Sequence, residues 1–214
     1  MPEIIQTTVY TFDELDGRAQ SRARDWYRQV STDDDWHEVV FEDFERVCEI
    51  LGIDLATRSV PLYGGGARQK PCIWFSGFSS QGDGACLEGS YQYKKGAARE
   101  IRAYAPKDAR LAGIADRLQQ IQRKNLYALG ARMSHRGRYY HEYCMDISVE
   151  RASDTYQPPT PDAEEIIIEA LRDLARWLYR QLEREYEYHT SDEVVDENIE
   201  ANGYTFTEVG RRFG

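Results

Sequence analysis

The chain has 214 residues, 41% of them apolar, 12% aromatic and 30% charged, and a formal net charge of −10. This length serves one domain over residues 1–214, with room for a small second domain that is not required; the core needs neither disulfides nor metal, and the composition excludes disordered, collagenous and low-complexity classes. No apolar run approaches the roughly 20 residues of a membrane helix. The start MPEIIQTTVY lacks a basic-then-apolar leader, so a cytoplasmic protein is expected.

In chain order, Thr7 to Phe12 reads as a short β-rich strand. Leu15, Ala19, Ala23, Trp26, Tyr27 and Val30 recur at helical spacing. Three aspartates, at 33–35, suit the start of a second helix whose face is Trp36, Val40, Phe44, Val47, Cys48 and Leu51, with Gly52 as its stop. A strand is expected over Ile53–Val60 and a flexible glycine-rich loop over Pro61–Lys70. Cys72–Phe78 and Ala85–Tyr93 are expected to pair as a hairpin around Ser79–Gly84. A short helix over Gly96–Tyr104 and a clearer one from Pro106 precede a second hairpin, Leu126–His135 with Arg138–Val149.

Ala152–Pro161 reads as a proline-rich connector. The longest helix follows, capped by Thr160, with Ile167, Leu171, Leu174, Leu178 and Leu182 as its buried stripe. Ser191 caps a last helix through Ile199, and Tyr204–Thr207 returns as an edge strand. Hairpins and amphipathic helices in this order predict an α+β fold: an antiparallel or mixed sheet with helices packed on it.

The net charge divides unevenly. Residues 1–59 carry six basic and fourteen acidic groups, residues 60–151 fifteen and eight, and residues 152–214 six and fifteen. A basic middle suits an anionic ligand and acidic ends suit a basic protein, unless the segments neutralise one another in the fold. Cys48, Cys72, Cys86 and Cys144 are far apart, without a CxxC pair, and read as buried free thiols.

The first hairpin concentrates unusual chemistry. Ser76, Ser79, Ser80, Gln81, Asp83 and Glu88 stand among glycines and aromatics. Glycines admit a ligand close to the backbone, and consecutive N–H groups form anion-binding nests. The alternative is a tight turn that Gln81 and Asp83 merely organise. The second hairpin carries His135, Arg136, Arg138, Tyr139, Tyr140 and His141, a basic and aromatic mixture suited to stacking a base and meeting phosphate, or else a solvated strand face. Alternation sets Tyr139 and His141 on one side and Tyr140 on the other. No P-loop, dinucleotide fingerprint, GxSxG elbow or metal-ligand spacing is present, so no cofactor, metal or catalytic residue is assigned. Between Glu183 and Glu200 eight acidic residues face one arginine; Glu193, Asp196, Glu197 and Glu200 are the candidate contacts for a basic protein.

The stretches Thr8–Leu15, Ala23–Arg28, Ile101–Pro106 and Leu178–Tyr188, with the pattern SGFxSQGDGAxxEG from Ser76 to Gly89, resemble a family of small phage and prophage proteins often labelled antitoxin of a toxin–antitoxin stability system. Pro61–Lys70 departs from that pattern as an extra glycine-rich loop. The resemblance implies a mobile-element origin and a role in conflict with the host, and it carries no catalytic residues over. The expected function is a non-enzymatic antitoxin-like or counter-defence protein that binds and neutralises a toxin or host immune effector. The first alternative is sequestration of a nucleotide or cyclic-nucleotide signal at Ser76–Glu88. The second is a nucleotide hydrolase using Asp83 with His135 or His141. Membrane association is not expected, and direct nucleic-acid binding is disfavoured by the acidic ends.

Overall fold

Apolar periodicity and turn chemistry build two compact units. The computed structural model describes residues 6–31, 35–152 and 157–214. Of the sequence expectations, the first five residues, the aspartates at 33 and 34, and residues 153–156 of the connector lie outside the described residues.

The larger unit, Val39–Glu183, is α+β. Helix α2 (Glu38–Leu51) buries Val40, Phe44, Val47, Cys48 and Leu51 along one stripe, and Gly52 ends it in a left-handed conformation (φ 81°). A Cβ there would meet the Gln92 carbonyl oxygen at 2.3 Å. Strands β1 (Ile53–Leu55), β6 (Gly89–Gln92), β7 (Leu129–His135) and β8 (Met145–Arg151) form a four-stranded antiparallel sheet in the order β1-β6-β7-β8. Register sets Asp54 beside Ser90, Ser90 beside Arg132, and Arg132 beside Ser148. Alternation sends Ile53, Tyr91, Leu129, Ala131, Met133, Met145 and Ile147 into the core.

Two further hairpins complete the strands of this unit among the described residues: β2 (Thr57–Pro61) with β3 (Ala67–Pro71), and β4 (Ile73–Phe75) with β5 (Ala85–Leu87). Helices α3 (Ala97–Tyr104) and α4 (Ala109–Lys124) follow β6; Asp108 caps α4 by accepting from the Leu111 N–H, and its other oxygen accepts from the Trp177 indole at 2.7 Å. Helix α5 runs from Ala163 to His189, and within this unit it buries Ile167, Ala170, Leu171, Leu174, Trp177, Leu178 and Leu182. Buried Gln122 substitutes for a neighbouring strand at Leu129. Its Oε1 accepts from the Leu129 N–H at 3.1 Å and its Nε2 donates to the Leu129 carbonyl at 2.7 Å.

The smaller unit joins Met1–Glu38 to Arg184–Gly214. Helices α1 (Gly17–Ser31) and α6 (Asp192–Ala201) and strands β9 (Thr205–Phe206) and β10 (Arg212–Phe213) surround a core of Phe12, Leu15, Ala19, Ala23, Val195, Ile199 and Phe206. Trp26 meets Tyr204 and Phe206 edge-on, at 5.1 and 5.9 Å between ring centres. Gly210 (φ 76°) lies so close to α1 that a Cβ would stand 2.1 Å from the Ala19 carbonyl oxygen.

Several boundaries differ from the sequence reading. The expected strand Thr7–Phe12 reduces to a single bridge, Tyr10 to Phe206, because the Glu14 carboxylate accepts from the Thr11 N–H and turns the chain into a 3-10 helix, Phe12–Glu14. The Pro61–Lys70 loop shrinks to Leu62–Gly66: Ala67 onward is strand, paired across the turn from Pro61 back to Thr57. The strand expected through Phe78 stops at Phe75, and Ala85–Tyr93 divides at Glu88 between two sheets. Arg138–Cys144 is loop and a 3-10 turn, Glu142–Cys144, since the His141 side chain caps it by accepting from the Tyr143 N–H. Helix α5 begins at Ala163 rather than Pro161; the Thr160 hydroxyl accepts from the Asn125 amide instead.

Candidate functional site

The β4–β5 turn gathers Ser76, Ser79, Ser80, Gln81 and Asp83 in one loop. The Asp83 carboxylate accepts from the Ser80 N–H at 2.6 Å and the Ser79 N–H at 3.1 Å. The nest of backbone donors thus holds the chain's own anion. The Ser80 N–H, opposed by burial and assisted by the Ser79 N–H, keeps Asp83 below the usual aspartate range. Ser76 continues the ladder by donating its N–H to the Gly84 carbonyl, and its hydroxyl is buried. Gln81 is exposed at the tip. From α5 the Tyr179 hydroxyl donates to the Gly77 carbonyl at 2.8 Å, and its ring lies 5.4 Å from that of Phe78.

The β7–β8 loop packs directly over this turn. A Cβ on Gly84 would stand 2.6 Å from that of His141, so only glycine admits the second loop here. Tyr139 covers Gly82. The two loops that the sequence separates by some fifty positions therefore form one surface.

The surface has two faces. On one, Trp74 and Tyr140 lie nearly parallel, 8° apart in plane with centres at 6.3 Å. His135 is 5.6 Å from the first ring and 5.2 Å from the second, and the Arg58 guanidinium sits over Trp74 at 5.8 Å. On the other, Tyr139 stacks on His141. The expected alternation of Tyr139 and His141 against Tyr140 holds although the segment is not a strand. Arg136 and Arg138 are exposed; the Arg136 guanidinium lies 4.0 Å from the Asp146 carboxylate.

The remaining polar groups are engaged. Glu88 accepts from the His135 N–H at 2.9 Å, and His135 Nε2 meets the Tyr139 carbonyl at 2.9 Å. His141 Nδ1 accepts from the Tyr143 N–H, which puts the proton of the neutral ring on Nε2, 3.4 Å from Cys144 Sγ. Oriented so, neutral His141 is a donor to sulfur. Burial pushes the Cys86 thiol up to about 12. Cys48, Cys72 and Cys86 are buried and Cys144 is half-buried, all four as free thiols. Among the described residues no three His, Cys, Asp or Glu side chains gather as metal ligands, and no helix is long and apolar enough to cross a membrane.

The acidic candidates lie apart from this surface in sequence and in unit. On α6, Glu193, Glu197 and Glu200 are exposed. Asp196 instead faces α1, where both its oxygens accept from Arg24 at 2.6 Å. The Asp13 carboxylate beside Glu200 raises the latter above the usual glutamate range. Sequence reasoning missed Trp36, Tyr27, Tyr186 and Tyr188, which with Glu197 line a hollow of about 430 Å³ in the smaller unit. The aromatic repeat in Glu185–Tyr188 was its only signal.

No match was found among curated proteins or among solved structures. Residues 36–192 match a family described as a domain of unknown function, DUF8835. That span covers well over half of the chain and includes the whole paired-loop surface: the protein belongs to the DUF8835 family.

Proposed function

We propose that this is a non-catalytic binding protein of phage or prophage origin that neutralises a basic toxin or host immune effector by docking its acidic unit against it. One observation carries the reading: the smaller unit holds seven Lys and Arg against seventeen Asp and Glu, and the larger unit twenty of each. The whole net charge of −10 belongs to one compact unit. Such a field steers a cationic partner and raises its association rate, while buried aromatic contacts supply affinity.

Glu193, Glu197 and Glu200 are the docking carboxylates. Asp196 is a structural group, because its replacement strands Arg24. The test is growth rescue on co-expression with a panel of toxic basic proteins. Replacing Glu193, Glu197 and Glu200 by lysine, with an unchanged melting temperature, is expected to abolish rescue. Rescue that survives the triple reversal overturns the proposal.

A second reading is supported by the rings of Trp74 and Tyr140 with Arg58, Arg136 and Arg138 around them. It is capture of a nucleotide or cyclic-nucleotide signal, the base on the rings and the phosphate on the exposed arginines rather than on the turn that Asp83 fills. Calorimetric titration with cyclic dinucleotides tests it. Heat lost in Arg136→Ala and Arg138→Ala, with the ligand recovered intact, is expected for capture. A hydrolysed ligand points to the nucleotide-hydrolase alternative, and no heat from the unaltered protein removes the capture reading.

A further inference from the structure

The hollow in the smaller unit is bounded by Tyr27, Trp36, Tyr186 and Tyr188, with Glu197 at its side. Trp36 and Tyr186 stand 5.7 Å apart and 56° from coplanar, so they meet as angled walls rather than as a closed stack. Tyr188 is 61% exposed and the other three rings are half-buried. Among the described residues no Lys or Arg lines the space; His189 does, with its Nε2 3.1 Å from Glu185 Oε1. Its volume lies within the range of small-ligand sites, about 300–1,000 Å³.

Aromatic faces carry negative potential, and a carboxylate beside them completes a site for a cation. An apolar occupant would desolvate Glu197 without a partner, and an anion would enter against the charge of the whole unit. The unit already shows this chemistry elsewhere: the Arg212 guanidinium lies 5.1 Å over Trp26 and 4.9 Å over Tyr204. Arginine is also the charged residue that most often anchors protein interfaces.

We propose that this hollow receives an arginine or lysine side chain of the basic protein partner. The inference rests on the proposed function and supplies that docking face with an anchor point.

The probe is an acetylated, amidated hexa-arginine peptide titrated calorimetrically into the full chain, with hexa-citrulline as its neutral counterpart. Glu197→Gln and Tyr188→Ala are expected to weaken hexa-arginine about tenfold each, the scale of a desolvated cation–π contact. Glu208→Gln, which removes the same charge from an exposed position outside the hollow, is expected to weaken it less than about twofold. Thermal melting confirms that each variant is folded. Equal, small losses in all three variants overturn the hollow and leave diffuse acidic docking standing. Citrulline peptide that binds as tightly as the arginine peptide overturns the cation assignment. Selective loss at the hollow, together with rescue that survives the triple lysine reversal, upholds the hollow and overturns the neutralising function.

Discussion

The two units handle charge in opposite ways. In the larger one, Arg176 bridges Glu142 at 2.8 Å and Asp173 at 2.7 Å and donates to the Tyr143 hydroxyl, while Arg117 takes the other oxygen of Asp173. Burial pushes the Asp173 carboxyl up, and the bonds from the two arginines more than offset it, so the net shift is downward. Charge here ties α4, α5 and the β7–β8 loop together. In the smaller unit Arg24 and Arg28 meet Asp196 and Asp192, yet Glu193 and Glu197 face water, and Glu200 stands against a like charge. Uncompensated carboxylates repel one another and work against the compact state. A fold that needed charge only for cohesion would resemble the larger unit. The excess in the smaller one is what the proposed docking uses.

The comparison is broken most severely through the cores. The smaller unit rests on seven buried apolar side chains, with Phe206 at their centre against Phe12 and Trp26. Phe206→Ala is expected to destabilise it by about 3–5 kcal/mol, from lost transfer energy and an unfilled cavity. Chemical denaturation monitored by tryptophan fluorescence measures this, and a loss below about 1 kcal/mol would sink the account of that core.

A smaller effect separates the two uses of charge. Arg176→Met keeps most of the side-chain volume, strands Glu142 and leaves Asp173 to Arg117 alone, at an expected cost of about 2 kcal/mol. Glu193→Gln, on the acidic face, is expected to change stability by less than about 0.5 kcal/mol, with a slight gain as repulsion falls. Denaturant midpoints of the two variants decide the matter. Equal losses would mean that the carboxylates of the smaller unit are structural as well.

The sequence made the longest helix legible because it buries a stripe that repeats at 3.6 residues: every position expected on the inner face of α5 is buried, and Ser191 caps α6 as its place before an acidic first turn implies. In α1 the expected stripe narrows to Ala19 and Ala23, and Val30 faces water. Strand β3 was illegible because Ala-Arg-Gln-Lys-Pro alternates nothing; it is exposed or half-buried throughout and exists only by pairing with β2. Gln122 gave no sign of its role either, since completing a ladder at Leu129 depends on where α4 docks. Within the candidate surface, residue types pointed to both loops, and the alternation around Tyr140 was readable. Their union was not. It depends on the close approach of Gly84 to His141, and a long-range contact leaves no local pattern.

The finest contrast is between two single carboxylates. Asp83, in the larger unit, accepts backbone N–H bonds that favour its charged form, so its folded value lies below the ordinary aspartate value of about 3.9. The folded chain then binds that proton less tightly than the unfolded one. Asp83 stabilises the turn fully above the ordinary value, and the contribution is lost as pH falls through the depressed one. Glu200, in the smaller unit, is raised by Asp13, so the sign reverses. Its contribution is present below the ordinary glutamate value of about 4.3 and is lost as pH rises through the raised folded value. Carboxyl carbon shifts followed by NMR should place the Asp83 midpoint below, and the Glu200 midpoint above, those of unfolded peptides. Asp13→Asn should return Glu200 toward its ordinary value and leave Asp83 unmoved. If both carboxyls titrate on the same side of their reference values, the division of the molecule into a charge-paired unit and a charge-crowded one fails at the level of individual groups.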